Sequence, residues 1–490
     1  KKAIESLSIH DSRIISNNRI MAKGLYDYGM IGLGTMGRNL LYNINDHGYS
    51  IAGFDKDRSQ VKILENEAGK RNVLATSDLG KFIKALKTPR VIILLVPAGK
   101  IVDDVIAELV PHLSKSDLLM DCGNSHFTDT DRRIQQLTKA SIHFMGIGVS
   151  GGESGARNGP SIMPGGPKVV YKRVSSMLED ISAKVKKEPC VTWLGPGSAG
   201  HYVKMIHNGI EYGIMQLISE CYNLLKNTCN LTNDELHSVF LKWNSGVLNS
   251  FLIGITAEIF SKKDDLTKNR LIDMILDSAR QKGTGGWTSQ DAMKLQVPIP
   301  VIDIAVSMRD LSSYTKDRKI AHQKLGGPGN KFEYDKDSVV RWIEQALYFS
   351  IITTYAQGLS QLHFASKEYK YDLNLKDIAS IWRGGCIIRS SLLNDIQSVF
   401  AHQPDLSNII LSNTISKKLM QSQIDIRKII QIGTESGTPI PAMMASLAYY
   451  DSFRNGWLPA NLIQAQRDYF GAHTYERNDR KGTFHTHWES

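Results

Sequence analysis

No stretch of this 490-residue chain is apolar for the roughly 20 residues that a membrane-crossing helix needs. Its most apolar run, "VIILLV" (Val91 to Val96), is short and β-branched, the pattern of a buried parallel strand. Cysteine is sparse. Cys122, Cys190, Cys221, Cys229 and Cys386 are odd in number, scattered and without a C-x-x-C pair, which argues against a disulfide framework and predicts reduced thiols in a cytoplasmic protein. No metal-ligand cluster stands out. "HTH" (His485 to His487) has no further ligand group beside it and reads as a polar tail, so no metal is expected. Basic runs with interleaved aromatics are missing too, which removes the main sequence sign of nucleic-acid binding. The first 20 residues lack the apolar core of a secretory signal, and Met21 precedes the first folded-looking segment. Residues 1–20 are therefore expected to be a disordered extension.

What is present describes a globular chain. Hydrophobic residues make up 42% and aromatics 8%, enough for two to four domains with ample core. The net charge of +10 and the pI of about 9.1 predict an anionic partner, a role that a small anionic substrate would fill. From Met21 to about residue 200, the apolar stretches "YDYGMIGLG", "YSIAGF", "VIILLV", "DLLMDCG" and "IHFMGIGVSG" read as strands, most of them separated by helical stretches. That is the βαβ signature of an α/β doubly wound, Rossmann-type sheet. "WLGPGSAG" (Trp193 to Gly200) breaks the pattern. Beyond it strand signals nearly vanish, and long amphipathic stretches such as "EYGIMQLISECYNLLK" and "EQALYFSIITTYAQGLSQL" predict a large all-α domain. From Trp457 the chain turns irregular and polar, with too little apolar content for a core of its own. It must lie on something else or be disordered. The expected divisions are residues 21–198, 199–456 and a tail at 457–490.

"GLGTMG" (Gly32 to Gly37) matches G-x-G-x-x-G in its full context: an apolar strand before it, a helical stretch after it, a second strand, and Asp55 23 residues after Gly32. Such glycines let a backbone approach a pyrophosphate at a helix N-terminus. Asp55 suits a ribose 2′-hydroxyl and hence NAD. Lys56 and Arg58 suit a 2′-phosphate, and these two cations favour NADP, with NAD as the alternative. "DCGNS" (Asp121 to Ser125) ends a strand at the ligand-binding edge of such a sheet. The glycine-dense run Gly148 to Gly166 reads either as a flexible linker or, at "SGG", as a set of backbone N–H groups for an anion. In "HYVKMIHNGIEYG" (His201 to Gly213), Lys204, His207, Asn208, Glu211 and Tyr212 recur at i, i+3, i+4, i+7 and i+8. At about 100° per residue they share an arc of roughly 140° on one helix. Val203, Ile206, Ile210 and Ile214 fill the adjacent arc. A solvated polar face is the plain reading of that pattern; a base, an acid, an imidazole and an amide in one row suggest chemistry.

These motifs, with "SIMPGG", "QKGTGGWT", "WRGGCIIRS" and "LPANLIQAQRDYFGAHTYER", resemble those of the decarboxylating 6-phosphogluconate dehydrogenases, and the similarity runs from Tyr28 to Trp488. The resemblance implies a coenzyme domain, an all-helical substrate and dimerisation domain, and a tail that reaches into the partner subunit of a homodimer. It implies oxidation and decarboxylation of 6-phosphogluconate to ribulose 5-phosphate, a step of the pentose phosphate pathway, with NADP reduced. Lys204 matches the family's general base and Glu211 its general acid. Asn124, Ser150, Gly151, Gly152, His207 and Asn208 match substrate-binding positions. So do Tyr212, Lys282 and Arg309, largely around the phosphate, and Arg467 and His473 match positions supplied by the neighbouring chain. The coenzyme is expected on Gly32, Leu33, Gly34, Thr35, Met36 and Gly37, on Asp55, Lys56 and Asp57, and on Val96, Pro97, Ala98 and Asn124.

The chain departs from the family at Asp55-Lys56-Asp57, where Asn-Arg-Thr is common, and at Pro97 and Gly286, where lysines are common. A lysine base near neutral pH needs its ammonium disfavoured by about 4 kcal/mol, which burial and nearby cations would supply. Two other readings stand beside this one. A non-decarboxylating β-hydroxyacid dehydrogenase would share the coenzyme domain and the lysine without needing the phosphate-side residues. A non-catalytic NADPH-binding scaffold would need neither Lys204 nor Glu211.

Overall fold

The structure, a computed structural model, describes residues 25–281, 283–328 and 333–488. The expectation for residues 1–20 lies outside the described residues. The N-terminal half carries a seven-stranded sheet: β1 (Tyr28–Ile31), β2 (Ile51–Phe54), β3 (Val73–Thr76), β4 (Val91–Leu94), β5 (Leu118–Asp121), β6 (His143–Ser150) and β7 (Ser161–Pro164). The order is β3-β2-β1-β4-β5-β6-β7, with β1 to β6 parallel and β7 antiparallel to β6. Strand order reverses between β1 and β4, the switch point at which such sheets open a ligand crevice.

β1, β2, β4 and β5 are buried along their whole length, as expected of strands covered on both faces. One face packs Met30, Leu41, Ile93 and Met120; the other packs Ile31, Phe82, Ile92 and Leu94. β3 and β7 carry no clear sequence signal. β3 is a part-buried edge strand, and "SIMP" lies inside the glycine-dense run. That run is no linker. It is the end of β6, a short helix and β7, held by the pairing Ile147↔Pro164 to Ser150↔Ser161.

The helices that shape the clefts and the tail are α1 (Thr35–Asp46), α2 (Gly152–Asn158), α3 (Ala199–Asn223), α4 (Thr284–Lys294), α5 (Pro300–Ser312), α6 (Lys336–Glu368), α7 (Asn413–Ser436), α8 (Pro441–Phe453) and α9 (Ala460–Gly471). α3 is buried on nearly every side, Lys204, His207 and Asn208 included. The polar row is therefore not a solvated face, and its plain reading is wrong. α3 packs along α6 and also touches β6, α4, α5 and α8. The two apolar stretches singled out in the sequence thus become neighbouring core helices. Their shared cluster includes Ile206, Ile210, Tyr355 and Leu359. Among the described residues no helix is long and apolar enough to cross a membrane. The tail is more regular than its sequence suggests: α9 is followed by a two-stranded pair, Tyr475–Glu476 against Thr483–Phe484.

Candidate active site

Two adjoining clefts open at the C-terminal ends of β1, β2, β4 and β5. The first is lined by Gly32, Gly34, Asp55, Lys56, Asp57 and Pro97. Gly37 packs so closely that a Cβ there would sit 1.9 Å from the Gly32 carbonyl oxygen, which seats α1 on the sheet. Gly34 has nothing within 4 Å of its would-be Cβ, and no side chain caps α1. The first-turn N–H groups therefore face an open approach, as pyrophosphate binding requires. Thr35 lies exposed on that turn, while Leu33 is buried and its N–H donates to Asp55 Oδ2 at 2.7 Å. Asp55 Oδ1 accepts from the Asp57 N–H at 2.9 Å, and Asp57 caps the next helix by accepting from the Ser59 N–H. Lys56 is ion-paired with Glu108 on the opposite wall of the same cleft.

The second cleft continues from the first through Val96 and Pro97, and is lined further by Met36, Ala98, Asn124 and Trp287. Trp287 comes from α4, so this cleft lies between the sheet and the helical part. Its indole meets the His126 ring edge-on at 4.9 Å. Below Asn124 is a buried network that the sequence reading missed. Asp121 accepts from the Gly123 N–H (3.0 Å) and from Ser125 Oγ (2.6 Å), and buried Arg133 donates to Ser125 Oγ at 3.1 Å. His201 Nε2 donates to the Asp121 carbonyl at 3.0 Å, which leaves Nδ1 to accept from Thr130 Oγ1 at 2.7 Å. The start of α3 is thereby tied to the loop that carries Asn124. The only sequence signal was an arginine placed on the apolar side of a helix.

The polar row of α3 meets the end of β6. Gly148 is what lets Lys204 in, since a Cβ at 148 would lie 2.4 Å from Lys204 Cβ. Ser150 Oγ donates to His207 Nε2 at 3.2 Å, and His207 Nδ1 donates to Asn208 Oδ1 at 3.2 Å with Glu211 Oε2 3.8 Å away. Burial, with Lys204 beside it, holds His207 well below the ordinary histidine range, so the ring is neutral. Burial likewise lowers the Lys204 ammonium, against the opposing pull of Glu211 and Cys386. It raises the Glu211 carboxyl, against Lys204 and Arg309. Desolvation thus favours the neutral forms of both groups on one helix face, an amine free to take a proton and a carboxyl with one to give.

Arg309 on α5 places its guanidinium 3.4 Å from the Tyr212 ring centroid, bringing a cation to the C-terminal end of this row. Gly151 and Gly152 follow Ser150 into the N-terminus of α2. The space beside Gly286 is open, so the lysine common there would fit. Lys282 lies outside the described residues. Arg467 and His473 are exposed and are not joined to this site. Arg467 bonds to Gln464, and His473 meets the Phe470 ring, both within the tail.

Comparison with known proteins gives a consistent result. Residues 27–195 match the model of the NAD binding domain of 6-phosphogluconate dehydrogenase, and residues 200–488 match that of its C-terminal domain. The chain is 49% identical over 461 residues to the Bacillus subtilis "6-phosphogluconate dehydrogenase, NADP(+)-dependent, decarboxylating", covering 94% of this chain and 98% of the relative. It is 46% identical over 461 residues to the decarboxylating enzyme of Escherichia coli, with the same coverage. Among solved structures, the Plasmodium falciparum 6-phosphogluconate dehydrogenase, studied apo and with NADP+ and 6-phosphogluconate, superposes with a TM-score of 0.91. It is 43% identical and covers 94% of this chain and 100% of its own.

Proposed function

The chain belongs to the 6-phosphogluconate dehydrogenase family, and on that premise we propose that it oxidises 6-phosphogluconate with NADP, releases CO₂ and leaves ribulose 5-phosphate. The observation that carries the reading is the α3 face, where burial disfavours the charge on both Lys204 and Glu211 within two turns of one helix. Two titratable groups pushed in opposite directions are the arrangement that acid–base chemistry at neutral pH needs.

The residues present fit the coenzyme. The open approach over Gly34, the uncapped start of α1 and the Lys56 ammonium suit a pyrophosphate and a 2′-phosphate. When bound, NADP supplies the acceptor for the hydride leaving C3. Lys204 takes the proton of the C3 hydroxyl as that hydride leaves, and the protonated Lys204 then faces the new carbonyl oxygen. There it stabilises the negative charge that develops as the 3-keto acid loses CO₂. Glu211, whose carboxyl burial pushes upward against Lys204 and Arg309, delivers a proton to C1 of the resulting enediol. Neutral His207, fixed by Ser150 and Asn208, orients the substrate beside Lys204, and Asn124, Gly151 and Gly152 bind it from the sheet side. Tyr212, Arg309 and Lys282 bind the phosphate end. Arg467 and His473 serve the site of the partner subunit in a homodimer, with residues 457–490 as the exchanged segment and residues 21–198 and 199–456 as the coenzyme and helical domains. The exposure of Trp457, Leu462, Ile463 and Phe470 on the tail supports docking on another surface. A cytoplasmic location goes with this reading, supported by five buried cysteines that form no disulfide among the described residues.

The direct test is an assay of purified protein with 6-phosphogluconate and NADP, reading NADPH by absorbance and CO₂ from C1-labelled substrate. One NADPH per CO₂ is expected. NADPH without CO₂ would point instead to a non-decarboxylating β-hydroxyacid dehydrogenase.

A further inference from the structure

Asp468 differs from every other described carboxylate of the tail. Glu476 and Asp479 are open to solvent, whereas Asp468 is 0% exposed. All of its acceptor capacity is used. Oδ1 accepts from the Thr474 N–H and from His485 Nδ1, each at 2.9 Å. Oδ2 accepts from the Thr486 N–H at 3.1 Å and the Trp488 indole N–H at 2.9 Å. Burial alone would raise this carboxyl, but the four donors outweigh it and bring it down to about 2. One ionised side chain thus joins the last turn of α9 to the turn after it and to the returning strand, in a segment whose large apolar side chains, Leu462, Ile463 and Phe470 among them, are exposed.

The residues it joins flank the tail's two substrate groups. Arg467 immediately precedes Asp468, and His473 immediately precedes Thr474. His473 lies between two non-glycine residues with left-handed backbones, Ala472 (φ 48°) and Thr474 (φ 62°). Left-handed conformations of this kind persist only where surrounding bonds impose them. The bonds here are Ala472 N–H to the Asp468 carbonyl (2.9 Å) and Thr474 N–H to the Asp468 carboxylate.

We propose that Asp468 is a positioning residue for the reaction: its carboxylate fixes the turn that carries His473 and the helix end that carries Arg467, so that the tail meets the partner's phosphate site already shaped. The proposal rests on the reading that the tail contributes Arg467 and His473 to substrate binding. It assigns to Asp468 no contact with substrate.

The test compares Arg467→Ala, Asp468→Ala and Trp488→Phe in the full chain. It reads kcat, KM for 6-phosphogluconate, NADP affinity by direct titration, and dimer content by sedimentation. Asp468→Ala is expected to raise the substrate KM about tenfold or more, as misplacement of binding groups does. NADP affinity should stay within about twofold and the dimer should remain intact, since a positioning role touches substrate alone. Trp488→Phe, which removes one donor of four far in sequence from Arg467, should raise KM by a smaller factor, and it keeps the test alive if Asp468→Ala does not assemble. A wild-type KM in Asp468→Ala or Trp488→Phe beside a raised KM in Arg467→Ala overturns the proposal. So does a parallel loss of NADP affinity and dimer, which would mark a structural role only. An unchanged KM in Arg467→Ala overturns the tail reading itself, and the proposal with it.

Discussion

Lys204 and Glu211 lie seven residues apart on one helix, and the same desolvation acts on both with opposite chemical results. Lys204→Met removes the only lysine of this buried face. The expected loss is about 10²–10⁴-fold in kcat, the usual contribution of a positioned base, with NADP affinity unchanged. Retention of more than about a tenth of wild-type activity would contradict the assignment. Glu211→Gln should leave hydride transfer detectable and slow the protonation at C1, which rapid-quench analysis would register as accumulated enediol. At the coenzyme end, Asp55 is occupied by the N–H groups of Leu33 and Asp57, while Lys56 is held by Glu108. On the proposed reading, Lys56 must exchange one anion for another to bind the 2′-phosphate. Glu108→Gln should lower the KM for NADP by up to about fivefold, the worth of an exposed ion pair, and leave that for NAD nearly unchanged. Lys56→Ala should raise the NADP value much more than the NAD value. Equal shifts for both coenzymes in these variants would remove Lys56 from 2′-phosphate recognition.

At the scale of elements, α3 organises the molecule. One end is tied to β5 through His201, and the other is tied to α8 through Glu220. The buried Glu220 carboxylate accepts from the Ala442 and Met443 N–H groups at 2.8 and 2.9 Å, capping α8. Burial still raises its pKa from 4.5 to about 7. Between those values the folded chain holds a proton that the unfolded chain has lost, so this group's contribution to stability falls as pH rises from 4.5 to about 7. The fall is on the order of 3 kcal/mol. His201 and His207, both lowered by burial, act in the opposite sense, losing stability as pH drops below 6.5. Glu220→Gln isolates the carboxyl term. The Tm of wild type minus that of the variant should decrease between pH 5 and pH 8, and a constant difference would show that Glu220 does not titrate in that window.

The elements also show what sequence can and cannot convey. The fingerprint glycines and the polar row of α3 were legible because periodicity and fixed spacing place those residues without long-range knowledge. β3 and β7 were not, because four-residue strands at or near a sheet edge carry too little pattern. The Asp121–Arg133 network was equally hidden. Its partners come from the end of β5, the helix that follows it and the start of α3, and pairing between segments leaves little local mark beyond an arginine on an apolar helix side. The tail looked irregular for a similar reason: its order comes from one buried carboxylate and not from an apolar stripe.

For the whole molecule, the net charge of +10 and the two connected clefts suit a bis-anionic substrate and a polyanionic coenzyme. On the proposed function, a working site joins the α3 face of one chain to the tail of another. Subunit mixing tests it most directly. Assayed at 6-phosphogluconate well below KM, Lys204→Met and Arg467→Ala homodimers should each be nearly inactive, because every site lacks one needed group. After full exchange, about half of an equal mixture is heterodimer, and in each heterodimer one site combines an intact Lys204 with an intact partner tail. The mixture is predicted to recover roughly a quarter of wild-type NADPH production. If Arg467 serves its own chain, every site keeps one defect, and mixing restores nothing.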